Sequence, residues 1–88
     1  MNFGEAIANL KYGNKVARAG WNGKGMFLIY VPGTVDAKLN EGTPYQKALQ
    51  SNIVTINPHI DIYTATGEFQ PGWLASQADM LAEDWTVV

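Results

Sequence analysis

Lys15-Val16-Ala17-Arg18-Ala19-Gly20-Trp21-Asn22-Gly23-Lys24-Gly25-Met26-Phe27-Leu28-Ile29-Tyr30-Val31-Pro32-Gly33 is the stretch on which the fold turns. Lys15 to Ala19 alternates around Val16 and reads as a short strand, and Met26 to Val31 is rich in β-formers until Pro32-Gly33 stops it. Between them, Gly20 to Gly25 places three glycines around one tryptophan. Such a segment cannot hold regular structure cheaply, because glycine loses the most backbone freedom on ordering. The stretch predicts an antiparallel hairpin with an unusual glycine-rich loop.

On its N-terminal side, Phe3, Ala6, Ile7 and Leu10 recur at helical spacing, and Asn2 with Glu5 three residues later is a capping-box signature. Gly13 supplies the stop, so a helix is expected from about Phe3 to Tyr12. On the C-terminal side, Thr34 to Asn57 is the least legible part and reads as an irregular insertion carrying one short helix at Tyr45 to Gln50. Ile60 to Thr64 alternates, Thr66-Gly67 turns it toward Glu68 to Gln70, and Pro71-Gly72 ends a second hairpin. Ser76 followed by Asp79 caps a short helix with Met80 and Leu81 on its apolar side, and Trp85 to Val88 is a last strand. The fold class is α+β: a small antiparallel sheet with an N-terminal helix and a short C-terminal helix, in one domain over residues 1–88.

Of the 88 residues, 47% are hydrophobic and 16% are charged, against a usual charged share of about 25%. A chain of this length supports one small core. Without cysteine it has neither disulfide nor thiolate metal site, so packing or association with other subunits must stabilise it. The low charge leans toward a homo-oligomer. Six Lys and Arg against eight Asp and Glu, for a net charge of -2, argue against duplex DNA or RNA as a partner. Met26 to Pro32, the longest apolar stretch, falls far short of the ~20 residues that span a bilayer, and Met1 to Leu10 is not a signal peptide. A soluble cytosolic protein is the expectation.

The glycine-rich segment lacks both nucleotide fingerprints, since its glycines fall at 20, 23 and 25. Two readings stay open for it. Trp21 caps the core of a tight hairpin, or it offers a flat face to a purine while loop amides, Asn22 and Lys24 meet polar groups of the same ligand. Arg18 can hold a phosphate bidentately or pair with an aspartate. Trp85 alternates onto the face of Val87 and reads as core or interface, whereas Trp73 follows Pro71-Gly72 on a loop and is open to either role. Asp79 and Glu83 share a helix face if the helix runs that far, and with Asp84 they are the carboxylates from which a metal site or acid–base pair could be built. Asp79 also has a local task at a helix N-terminus. The single His59 has no catalytic or metal-ligand spacing around it and reads as structural.

Taken together, Asn2-Phe3-Gly4-Glu5-Ala6-Ile7, the segment Val16 to Met26, Pro58-His59-Ile60-Asp61 and the segment Trp73-Leu74-Ala75-Ser76-Gln77-Ala78-Asp79-Met80-Leu81-Ala82-Glu83-Asp84-Trp85 resemble a family of short phage and bacterial proteins. The second class of Thoeris anti-defence proteins belongs to it. The resemblance runs from Met1 to Val88 and is most specific in the GWNGKGM segment and in the segment from Trp73 to Trp85. It implies a sponge, a protein that captures a cyclic ADP-ribose-type immune signal without chemical change, working in the cytoplasm of the infected host. It also implies homotetramers with pockets between subunits, and in some members separate sites for cyclic dinucleotides. Trp21, Asn22, Gly23, Lys24 and Met26 match the first motif, and Trp73, Ser76 and Asp79 the second. One departure is Gln70-Pro71-Gly72-Trp73, where relatives often read Pro-Trp without the glycine.

The residues themselves favour a binder over an enzyme, since hydrolysing a cyclic nucleotide needs a positioned base, a metal or a nucleophile. Binding asks for less: a purine stacks on Trp21, ribose hydroxyls donate to Asp61 or Asp79, and phosphates meet Arg18, Lys24 and loop amides. No cofactor, metal or membrane is called for. Two alternatives compete with this reading. One is a small metal-dependent phosphodiesterase using Asp79, Glu83 and Asp84, and the other is a structural module in which Trp21, Trp73 and Trp85 serve only packing.

Overall fold

The computed structural model describes residues 1–21 and 24–88. Helix α1 (Phe3–Lys11) starts on a complete capping box, in which the Asn2 side chain accepts from the Glu5 amide at 2.8 Å and Glu5 accepts from the Asn2 amide at 2.9 Å. It ends where Gly13 takes a φ of +103°. Strands β1 (Val16–Arg18) and β2 (Phe27–Val31) form the expected hairpin, with Val16 opposite Leu28, and the 3-10 turn Ala19–Trp21 opens its connection. Strands β5 (His59–Tyr63) and β6 (Phe69–Pro71) form the second hairpin, and β7 (Trp85–Val87) is the last strand. They join one antiparallel sheet in the order β6-β5-β2-β1-β7. The α+β class, the N-terminal helix and the short C-terminal helix α3 (Gln77–Met80) are as the sequence predicts.

Helix α1 lies on one face of this sheet. Its Ala6 and Leu10 are buried against Val16, Leu28 and Trp85, and Phe3, Ile7, Tyr30, Ile60, Ile62 and Trp73 pack around that nucleus. Trp85 is its hub, with ring centroids 5.5 Å from Phe3, 5.5 Å from Trp21 and 6.1 Å from Trp73. The indole N–H donates to the Asp79 carbonyl at 2.9 Å, so the ring is buried with its one polar atom satisfied. On the opposite face Phe27 stacks on Tyr63 at 4.9 Å, and Phe69 leans on both.

Two expectations need correction. Residues 34–57 are not an irregular insertion with one helix: β3 (Thr34–Lys38) pairs with β4 (Ile53–Ile56) in a separate two-stranded sheet, with α2 (Pro44–Leu49) between them. The hairpin escapes strand periodicity because its register shifts between Thr34 and Ala37, where Asp36 takes a φ of +53°. Helix α3 stops at Met80, with Leu81 as its C-cap, so Asp79 and Glu83 share no helix face.

Residues 34–57 project as an arm from the tip of the β2–β5 hairpin, where Val31 faces His59. The radius of gyration is 15.6 Å, against about 12 Å for a compact domain of this length, and the extents are 44 × 26 × 22 Å. None of the helices among the described residues is long and apolar enough to cross a membrane.

Candidate functional site

The glycine-rich connection and the adjoining strands β1 and β7 enclose a groove of about 410 Å³, lined by Lys15, Arg18, Trp21, Lys24, Met26 and Phe27 among others. Four sequence-predicted residues, Arg18, Trp21, Lys24 and Met26, therefore meet here. Asn22 and Gly23, predicted with them, lie outside the described residues. Trp21 is half-buried because one side of its ring meets Trp85 nearly edge-on, at an interplanar angle of 78°. Packing and groove lining are thus not alternatives for Trp21: it does both.

Lys15 was missed by motif reading. Its ammonium lies 4.8 Å from the Phe27 ring centroid, so the groove holds two lysines, Lys15 and Lys24, beside apolar Met26 and Phe27. Strand alternation carried the signal, since Lys15 and Ala17 flank the buried Val16 and point to the other face.

Arg18 ties the two motifs together. Its Nε donates to Asp84 and its Nη1 to Asp79, each at 3.0 Å. Asp84 also accepts the Gly20 amide at 3.1 Å, which fixes the start of the glycine-rich connection. Asp79 completes the predicted capping box, accepting the Ser76 hydroxyl at 2.8 Å and the Ser76 amide at 3.1 Å. Burial alone pushes the Asp79 carboxyl up, but hydrogen bonds from Ser76 and Arg18 outweigh it and leave the group below the usual carboxylate range. The Arg18 hydrogen bond and then the Gly20 amide lower Asp84, and Asp84 followed by Asp79 raises the guanidinium. Ser76 and Asp79 are thus occupied with α3 and with Arg18.

Trp73 lies elsewhere. A second groove of about 410 Å³ opens between α1 and β5, lined by Ile7, Lys11, Tyr30, His59, Trp73 and Leu74 among others. The Trp73 amide donates to the Ile60 carbonyl at 2.7 Å, and the preceding Gly72, the departure noted in the sequence, takes a φ of +80° and donates to Asp61 at 3.3 Å. Asp61 is 8% exposed and its Oδ1 lies 3.5 Å from His59 Nε2, while His59 Nδ1 is 3.0 Å from the Asn57 carbonyl oxygen. His59 makes these contacts and also borders this groove, which residue patterns did not disclose.

The eight predicted residues that the structure describes therefore do not converge on one pocket of a single chain. Among the described residues, no cluster of three His, Asp or Glu side chains has the spacing to hold a metal ion, and the guanidinium of Arg18 stands between Asp79 and Asp84.

Comparison with known proteins adds two findings. Residues 1–88 match the profile of the Thoeris anti-defense 2-like domain family. The protein named Thoeris anti-defense 2 from Bacillus phage SP01 is 38% identical over 91 residues, an alignment covering 100% of this chain and 94% of the phage protein.

Proposed function

Because the chain belongs to the Thoeris anti-defense 2-like family, we propose that it inhibits Thoeris by binding a cyclic ADP-ribose-type signal and holding it intact in the host cytoplasm. The observation that carries this reading is the groove in which Trp21, Lys24, Met26 and Lys15 meet. Its volume of about 410 Å³ falls within the range of small-ligand sites, and it pairs aromatic and apolar surface with two cations. A purine stacks on the exposed part of Trp21. The lysines answer the phosphates.

Arg18 reaches a phosphate only by exchanging it for Asp84 or Asp79, so in the free protein it positions Gly20 and α3. The same geometry favours a binder over a phosphodiesterase, because Asp79 and Asp84, two of the three carboxylates that hydrolysis would need, already face a guanidinium. The two chain grooves are separate, which agrees with homotetramers whose subunits complete one another's pockets and with a second ligand class, cyclic dinucleotides, at the Trp73 groove. A sponge must act near stoichiometry, so its Kd is at or below nanomolar, about -12 kcal/mol.

The test is recovery. Protein incubated with a cyclic ADP-ribose isomer and then denatured should release the starting nucleotide, and release of a cleaved product would overturn the reading. Calorimetry should give the stated affinity, and Trp21→Ala should weaken it by ~1–3 kcal/mol while far-UV circular dichroism stays that of the parent.

A further inference from the structure

We propose that Asp84 is a positioning residue of the Trp21 groove, holding the glycine-rich connection in the conformation that presents Trp21 and Lys24 to a nucleotide. The proposal rests on the reading of that groove as the nucleotide site and adds a residue that lies outside the groove's lining. Pairing of Arg18 with Trp85 in the β1–β7 ladder brings Asp84 opposite the 3-10 turn Ala19–Trp21. There its carbonyl oxygen accepts the Ala19 amide at 3.0 Å, its Oδ2 accepts the Gly20 amide at 3.1 Å and its Oδ1 accepts Arg18 Nε at 3.0 Å. The carboxylate sits as close to the turn as glycine allows, since a Cβ on residue 20 would lie 3.3 Å from Oδ2. The next residue, Trp85, meets the Trp21 ring edge-on at 5.5 Å. Two consecutive residues thus fix Trp21, one through the backbone that precedes it and one through its ring. The Lys24 amide donates to the Trp21 carbonyl at 3.4 Å, which carries the constraint on to Lys24.

Bonds to this turn matter because glycine has the most backbone freedom to lose. A nucleotide that meets a turn already held need not order it, whereas ordering one free backbone residue on binding costs roughly a factor of ten in affinity. Charge alone predicts the opposite sign. Asp84 places a negative charge beside a groove read as an anion site and occupies Arg18 Nε, so on Coulomb attraction its removal should tighten binding. Asp79 also holds Arg18, through Nη1 at 3.0 Å, which limits that gain, whereas the bond to Gly20 is lost with the carboxylate. Positioning therefore outweighs charge, and the sign of the change in affinity distinguishes them.

Asp84→Ala sets the two signs against each other. Titration calorimetry with the cyclic ADP-ribose isomer that the parent binds should show the affinity of the variant lower by ~tenfold. Unchanged or tighter binding would overturn the proposal and leave the proposed function standing, whereas a parent that binds no such isomer would overturn both. Amide hydrogen exchange followed by NMR, without nucleotide, separates positioning from a general loss of stability. The substitution removes the acceptor of the Gly20 amide but keeps the backbone carbonyl that accepts the Ala19 amide. Exchange should therefore accelerate roughly tenfold more at Gly20 than at Ala19. Equal acceleration at the two amides, or none at Gly20, would overturn the proposal even where the affinity falls.

Discussion

Arg18 is the residue whose role changes most between sequence and structure. It is the only arginine, next to a glycine-rich segment, and by pattern alone it suits a phosphate as well as an aspartate. The structure gives it two aspartates, 61 and 66 residues away in the chain. Partners at that separation leave no periodic trace, which is why motif reading kept both readings open. A pH dependence follows. Asp79 and Asp84 titrate below their ordinary value of 3.8, so the stability they contribute is fully present above that value and is lost as the pH falls through their lower folded values. Melting temperatures measured from pH 7 to pH 2 should therefore fall steeply below about pH 4 in the parent. Arg18→Ala should melt lower at pH 7 and descend less steeply, so that the two curves converge in acid. Parallel curves would show that Arg18 does not set the carboxylates.

At the scale of elements, legibility followed the local signals. Capping boxes at Asn2 and Ser76, the stop at Gly13 and the alternation of Ile60 to Thr64 are readable because each is local and each is realised. The arm was not readable, because its two left-handed positions outside glycine, Asp36 and Gln50, break both periods without announcing a turn. The candidate site shows the same division: Lys15, Arg18, Trp21, Lys24 and Met26 fall within one short segment, whereas the lining of the Trp73 groove comes from α1, β2, β5 and the segment after β6. The base of the arm is the tightest point of the chain. Gly33 has a φ of +25°, and a Cβ added there would run into the Ile56 carbonyl and the backbone of Asn57 and Pro58. Gly33→Ala should therefore cost more than ~1 kcal/mol, lowering the melting temperature by about 4 °C or more. Gly42→Ala, left-handed but in open space, should cost less. Equal effects would mean that the close approach at Gly33 carries no energetic weight.

For the whole molecule, the relevant quantity is how little of it is core. Ala6, Leu10, Val16, Ala17, Leu28 and Trp85 are the buried hydrophobics among the described residues, while 47% of the chain is hydrophobic and 16% is charged. A chain of that composition that keeps 6064 Å² accessible leaves much of its apolar surface uncovered when alone. If copies of the chain associate, as the proposed homo-oligomer requires, mass action couples stability to concentration, because subunits bind the folded chain and not the unfolded one. The melting temperature of the parent should rise with each tenfold increase in protein from submicromolar to hundred-micromolar concentration. The sign of the trend separates this from aggregation, which lowers the apparent midpoint as concentration increases. A parent whose midpoint ignores concentration would place its stability within the single chain.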